Sequence, residues 1–166
     1  MAQASSIDEL VGQWRAERPD LDLDAMATVA RLLHLGAAVR RELGALAAEY
    51  DVLVPEADIL FTLRRSGPPY RLLPSELSEA LLVSSGTLTN RLDRLESKGL
   101  VERHPNPDDR RSVEVALTEP GRRLADEAVT AHVENERRML AALSPPERKA
   151  LDELTSKLLA GLAEEG

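Results

Sequence analysis

The stretch from Ser84 to Thr118, SSGTLTNRLDRLESKGLVERHPNPDDRRSVEVALT, admits few folds. Leu88, Leu92 and Leu95 recur at helical spacing behind Ser84 or Ser85, either of which can cap a first turn with its side-chain oxygen. Gly99 then supplies a residue tolerant of positive φ, so the spacing predicts a helix of about four turns. Beyond it, Leu100 to Arg103 and Ser112 to Leu117 read as two short strands, the second alternating at Val113, Val115 and Leu117. They flank a turn-forming run, His104-Pro105-Asn106-Pro107-Asp108-Asp109. The expectation is an amphipathic helix followed by a β-hairpin.

The outward face of that helix carries Thr87, Thr89, Asn90 and Arg94. Short hydrogen-bonding side chains with one guanidinium suit donor and acceptor readout in a major groove. A hairpin tipped with Arg110 and Arg111 can reach a minor groove or phosphates. Upstream, Pro74 to Leu82 reads as a helix joined to this one by Val83-Ser84-Ser85-Gly86, a helix-turn-helix arrangement. The pattern implies a DNA-binding regulator.

Composition first argues otherwise, because the formal net charge is −8. Its distribution resolves the conflict. From Arg64 to Arg111 nine Arg or Lys stand against seven acids, a balance of +2 that leaves −10 on the remainder. An acidic scaffold holding a mildly basic segment fits a specific DNA reader with low non-specific affinity. Aromatics are only 2%, so the core must be leucine, alanine and valine. With no cysteine, disulfides, thiolate metal sites and cysteine nucleophiles are excluded. The absence of a long apolar run and of a signal-peptide layout leads us to expect a soluble cytoplasmic protein that does not contact a membrane.

Along the chain, Ser6-Ile7-Asp8-Glu9 has capping-box spacing and opens a helix to about Arg18, with Ile7, Leu10, Val11 and Trp14 on one side. A second helix, from about Asp24 to Tyr50, is long enough to cross a domain or form a dimer seam. His34 lies near its stripe and reads as a core or interface residue, since no histidine partners it at metal-ligand spacing. Pro55 starts a third helix to about Arg65, apolar nearly all round and therefore expected to be buried. Thr118-Glu119-Pro120-Gly121 opens a long helix to about Leu143, and Ser144-Pro145-Pro146-Glu147 a last one to about Leu162.

Arg91 stands out. It lies three residues after Leu88 and four before Leu95, on or beside the stripe that packs inward, so unless it snorkels out to phosphate it is expected to meet a buried acid, and Asp58 on the third helix is the natural candidate. Arg103 on the first wing strand is a second cation near the same region. Two arginines, one carboxylate and Trp14 can enclose a small planar anion; a structural ion pair is the alternative.

These residues resemble the MarR family of winged-helix transcriptional regulators. The likeness runs through LPSELSEALLVSSGTLTNRLDRLESKGLVERHPNPDDRRSVEVALTEPGRRL, with Asp109-Arg110-Arg111 in place of the family's Asp-x-Arg wing motif. Leu73 departs from it, standing where the family usually offers a Ser or Thr cap. The resemblance implies a mainly α fold with a small β-hairpin wing, a winged helix-turn-helix in an intertwined homodimer held by its N- and C-terminal helices. It divides the chain into an extension helix (1–20), a dimerisation helix (21–54), the DNA-binding domain (55–118) and C-terminal dimerisation helices (119–166). By resemblance Ser84, Ser85, Thr87, Thr89, Asn90 and Arg94 face the bases and phosphates of a palindromic operator, and Arg110 and Arg111 serve the minor groove.

The chain is further similar to the urate-responsive branch of that family, which has an extra N-terminal helix and binds urate through a Trp, an Asp and two Arg. Trp14, Asp58, Arg91 and Arg103 match those four. The resemblance implies a repressor released from DNA when urate or a similar small anion binds, with no cofactor. A phenolic carboxylate or a tricarboxylate such as aconitate would suit the same cationic pocket. An enzyme is disfavoured, because there is no phosphate loop, nucleophile elbow or His-Glu metal helix. An architectural DNA-binding protein would be more basic.

Overall fold

The computed structural model describes residues 7–106 and 112–164. The chain groups into two units, Met1–Gly44 and Ala45–Gly166, so the division falls inside the second helix. Ser6, Arg110 and Arg111 lie outside the described residues, and with them the expected capping box and the wing arginines.

In the first unit, α1 (Ile7–Glu17) is followed by the start of α2 (Asp24–Glu49). Arg18 and Pro19 end α1, and Arg18 closes on Asp20 through two side-chain hydrogen bonds of 2.8 and 2.7 Å. Val11 and Leu23 are each only 4% exposed, and Asp8 meets Arg31 at 2.5 Å. Trp14 stays 45% exposed, and so do Val29, Leu33 and Leu35 along α2 at 52, 66 and 53%.

The second unit holds the core. α3 (Val54–Arg65) packs against α6 (Glu119–Met139), α4 (Pro74–Leu81) and α5 (Ser85–Ser97). A three-stranded antiparallel sheet, order β1-β3-β2, closes the unit. Its hairpin is β2 (Val101–Pro105) and β3 (Val113–Leu117), with Arg103 opposite Val115. β1 (Arg71–Leu72) adds to the other edge of β3, a strand absent from the sequence reading because two residues carry no periodicity. Ile59, Leu60, Leu63, Leu77, Leu95 and Val115 are fully buried, and each stabilises the fold by roughly 1.5–3 kcal/mol. α7 (Pro145–Glu164) ends the chain, started by Glu147, which accepts from the Ser144 N–H at 2.8 Å. No helix among the described residues is long and apolar enough to cross a membrane.

Leu73 begins α4 without a side-chain cap, yet the start is held from the other side. Glu76 accepts from the Leu73 N–H at 2.7 Å, half of a capping box. The turn into α5 contains no glycine at its left-handed position: Leu82 takes φ +52°, and the Val83 N–H closes on the Ser78 carbonyl at 3.1 Å.

Candidate nucleic-acid interface and effector cavity

α5 is built as its spacing implies. Ser84 is the cap, its hydroxyl accepting from the Thr87 N–H at 3.4 Å and lying 3.0 Å from the Thr87 hydroxyl. Leu88, Leu92 and Leu95 face the core. At the far end Gly99 adopts φ +68° and the Leu100 N–H bonds to the Leu95 carbonyl at 3.0 Å, the closing pattern of a helix with a left-handed residue. Ser84, Ser85, Thr87, Thr89 and Asn90 are all exposed on one rigid helix. Thr89 donates its hydroxyl to the Ser85 carbonyl at 2.9 Å, which leaves its oxygen lone pairs outward as acceptors.

The charges on this helix are arranged differently from the sequence expectation. The buried acid of α3 is Glu56, 2% exposed, and its cation is Arg94, whose Nε lies 2.9 Å from Oε1. The second Glu56 oxygen accepts from the Leu53 N–H at 2.9 Å, so the carboxylate is fully engaged. Arg94, though exposed, therefore has its guanidinium committed to α3. Beside it Lys98 lies 3.2 Å from Asp51 and donates to the Asp51 carbonyl. Arg103 is also committed within the fold: it bonds Asp93 at 2.7 Å and pairs with Glu96, tying β2 to α5.

Asp58, expected buried in a direct pair with Arg91, is exposed, and Arg91 is half-buried with no ion-pair partner within 4 Å among the described residues. The reason lies in helix phase. Glu56, Ile59, Leu60 and Leu63 take the inner face of α3, and Asp58 falls outside it. It opens instead on a cavity of about 390 Å³ lined by Phe61, Thr62 and Arg65 of α3, Ala80, Leu81 and Leu82 at the end of α4, and His132 of α6. His132 stands edge-on to Phe61 at 5.5 Å and lies 3.1 Å from Glu136. Arg91 and Arg65 act on Asp58 through space.

A model of the MarR family matches residues 50–112. The chain is 41% identical over 158 residues to the HTH-type transcriptional regulator PecS of Dickeya dadantii, covering 95% of each. The chain belongs to the MarR family. Among solved structures, a mutant MarR of Escherichia coli complexed with operator DNA superposes with a TM-score of 0.71 at 30% identity, over 82% of this chain and 97% of that one. AbsC of Streptomyces coelicolor, at 23% identity and a TM-score of 0.77 over 87% of this chain and 97% of that one, shares the fold. This MarR-family chain is a DNA-binding transcriptional regulator, not an enzyme.

Of the four residues matched to the urate-responsive branch, Asp58 and Arg91 lie within electrostatic reach of each other, Arg103 is held by Asp93 and Glu96, and Trp14 belongs to the first unit. Sequence reasoning missed Glu56, Arg65 and His132. Glu56 had a usable signal, since it follows Leu53 at capping-box distance and precedes an apolar run. For Arg65 and His132 only the packing of α3 against α6 reveals the juxtaposition.

The pKa of the Asp58 carboxyl is raised from its ordinary aspartate value, because neighbouring atoms partly shield it from water although it is exposed at the surface; His132, Arg91 and Arg65 oppose that rise. A raised folded pKa means that Asp58 favours folding most at acid pH and that this contribution is lost as pH rises through the folded value. Asp58→Asn is therefore expected to melt ~1 °C or more above the parent at pH 7, the increment kept small by solvent access. The difference vanishes below the usual aspartate pKa. Melting curves across that window check it, and equal melting at neutral pH would contradict it.

Proposed function

We propose that this regulator is a homodimeric repressor that holds a palindromic operator and leaves it when urate or a similar small anion binds beside Asp58. The observation that supports the effector reading is the setting of Asp58: one carboxylate lining a cavity, within electrostatic reach of two arginines that make no ion pair among the described residues. That balance favours a monoanion. Because Arg91 rides on α5, a ligand that engages it acts on the helix presenting Thr87, Thr89 and Asn90, and differential binding to two positions of that helix is all that release of DNA requires.

Dimerisation is supported by apolar surface left uncovered in the single chain. Leu154, Leu158, Leu159 and Leu162 on α7 are 62, 51, 68 and 71% exposed, and α2 shows a similar stripe. Patches of this kind mark interfaces. Two-fold symmetry then sets operator half-sites about one helical turn apart.

The test is a titration of urate into the protein bound to a palindromic promoter fragment, following DNA anisotropy. We expect a saturable loss of DNA affinity of about tenfold or more, within the usual range of allosteric coupling, with Arg91→Ala abolishing it. DNA affinity unchanged at saturating urate would overturn the ligand half of the proposal. Phenolic carboxylates and aconitate compete in the same assay.

A further inference from the structure

The two adjacent arginines at the end of α3 have opposite fates. Arg64 is spent: its Nε donates to Asp126 at 2.7 Å, and its guanidinium lies 4.9 Å above the Tyr70 ring. Arg65 makes no ion pair within 4 Å among the described residues and lines the cavity with Asp58. An arginine kept beside a carboxylate but not paired with it is available to a third group, and its planar fork matches an anionic oxygen edge.

The same cavity is lined by Leu82, which is 92% exposed and held at φ +52°. A left-handed leucine is sterically strained, where glycine would not be. The backbone of this turn does not require a side chain at position 82; what a leucine adds is an apolar wall, and strain retained at such a place points to use. With Phe61 and Leu81 it supplies the apolar lining of a pocket whose size suits a small ligand.

We propose that Arg65 is a further effector-binding residue, its guanidinium holding the charged edge of a small planar monoanion whose ring lies between Phe61 and Leu82, with Asp58 accepting from the ligand's N–H or O–H groups. This placement rests on the anion-effector reading above. Because Ala80, Leu81 and Leu82 end the first helix of the helix-turn-helix, an occupant bears directly on the turn that orients α5.

Calorimetry with urate, and with a hydroxybenzoate as a second probe, on the wild type, Arg65→Gln and Leu82→Gly tests it. We expect Arg65→Gln to weaken binding about tenfold or more, as loss of a charge-assisted contact does. Leu82→Gly, which relieves the left-handed strain, is expected to keep or raise the melting temperature while weakening binding several-fold; a purely structural leucine would leave affinity unchanged. Wild-type binding undiminished in both variants overturns the placement alone. A wild type that takes neither probe overturns the effector reading and this placement with it.

Discussion

Replacing Arg94 with alanine will lower the melting temperature of the protein, in addition to any effect on DNA. Glu56 is 2% exposed, so removal of Arg94 leaves a carboxylate inside the fold with the Leu53 N–H as its remaining partner. Breaking a buried pair from one side costs about 3–5 kcal/mol. Arg94 itself is 54% exposed, which lets water reach the pair and brings the expected loss nearer 2–3 kcal/mol, or about 5–10 °C for a chain of this size. The double variant Glu56→Gln with Arg94→Met should recover part of that loss, since no charge is then stranded. A full set of thermal melts decides between two roles. If Arg94→Ala melts like the parent and only binds DNA less well, Arg94 is the base- or phosphate-facing residue that its place in the sequence suggested.

Gly121→Ala will destabilise the protein and weaken DNA binding together, although helix propensity alone argues the reverse. Gly121 sits in the first turn of α6, where alanine would ordinarily gain about 1 kcal/mol. A Cβ built there lies 1.9 Å from the Leu100 carbonyl oxygen and 2.8 Å from its carbon. The obstacle is backbone, and that backbone is itself fixed: the Leu100 oxygen accepts from the Thr118 N–H at 3.2 Å, while Thr118 also donates its hydroxyl to the Gly99 carbonyl at 2.7 Å. Relief requires α6 to move away from the junction of recognition helix and wing. Overpacking of this kind costs about 1–3 kcal/mol, and more where backbone must shift, so a fall of at least several degrees is expected. Amide exchange should quicken at Leu100 and Val101, and operator affinity should drop. An alanine variant that melts at or above the parent temperature would show that the junction yields freely.

Both predictions concern features that local pattern does not reveal. The elements themselves were legible because their signals are short-range: the Leu88, Leu92, Leu95 stripe, the Ser84 cap, the left-handed Gly99 and the alternation into Leu117 each depend on residues within a turn or two. The α6 start at Thr118 was equally local, its hydroxyl accepting from the Gly121 N–H at 3.0 Å. The outward face of α5 was read correctly at Thr87, Thr89 and Asn90, whose exposure follows from the phase of the leucines.

Charge partnership was not legible, for a physical reason. Periodicity gives the face on which a side chain leaves its helix, but an arginine reaches far enough to turn toward a neighbouring element, and which acid it finds depends on how helices pack. Hence Asp58 and Arg91 share a field without pairing, Glu56 takes Arg94, and Arg103 is claimed by Asp93 and Glu96. The order of elements, the family and the exposed polar face of α5 were determined by the sequence by itself, since near-neighbour sterics and hydrogen bonding set them. Which cations hold the fold together and which, like Arg65, make no ion pair among the described residues was decided only when α3, α4 and α6 came into contact, because that choice is settled by distance and desolvation between residues far apart in the chain.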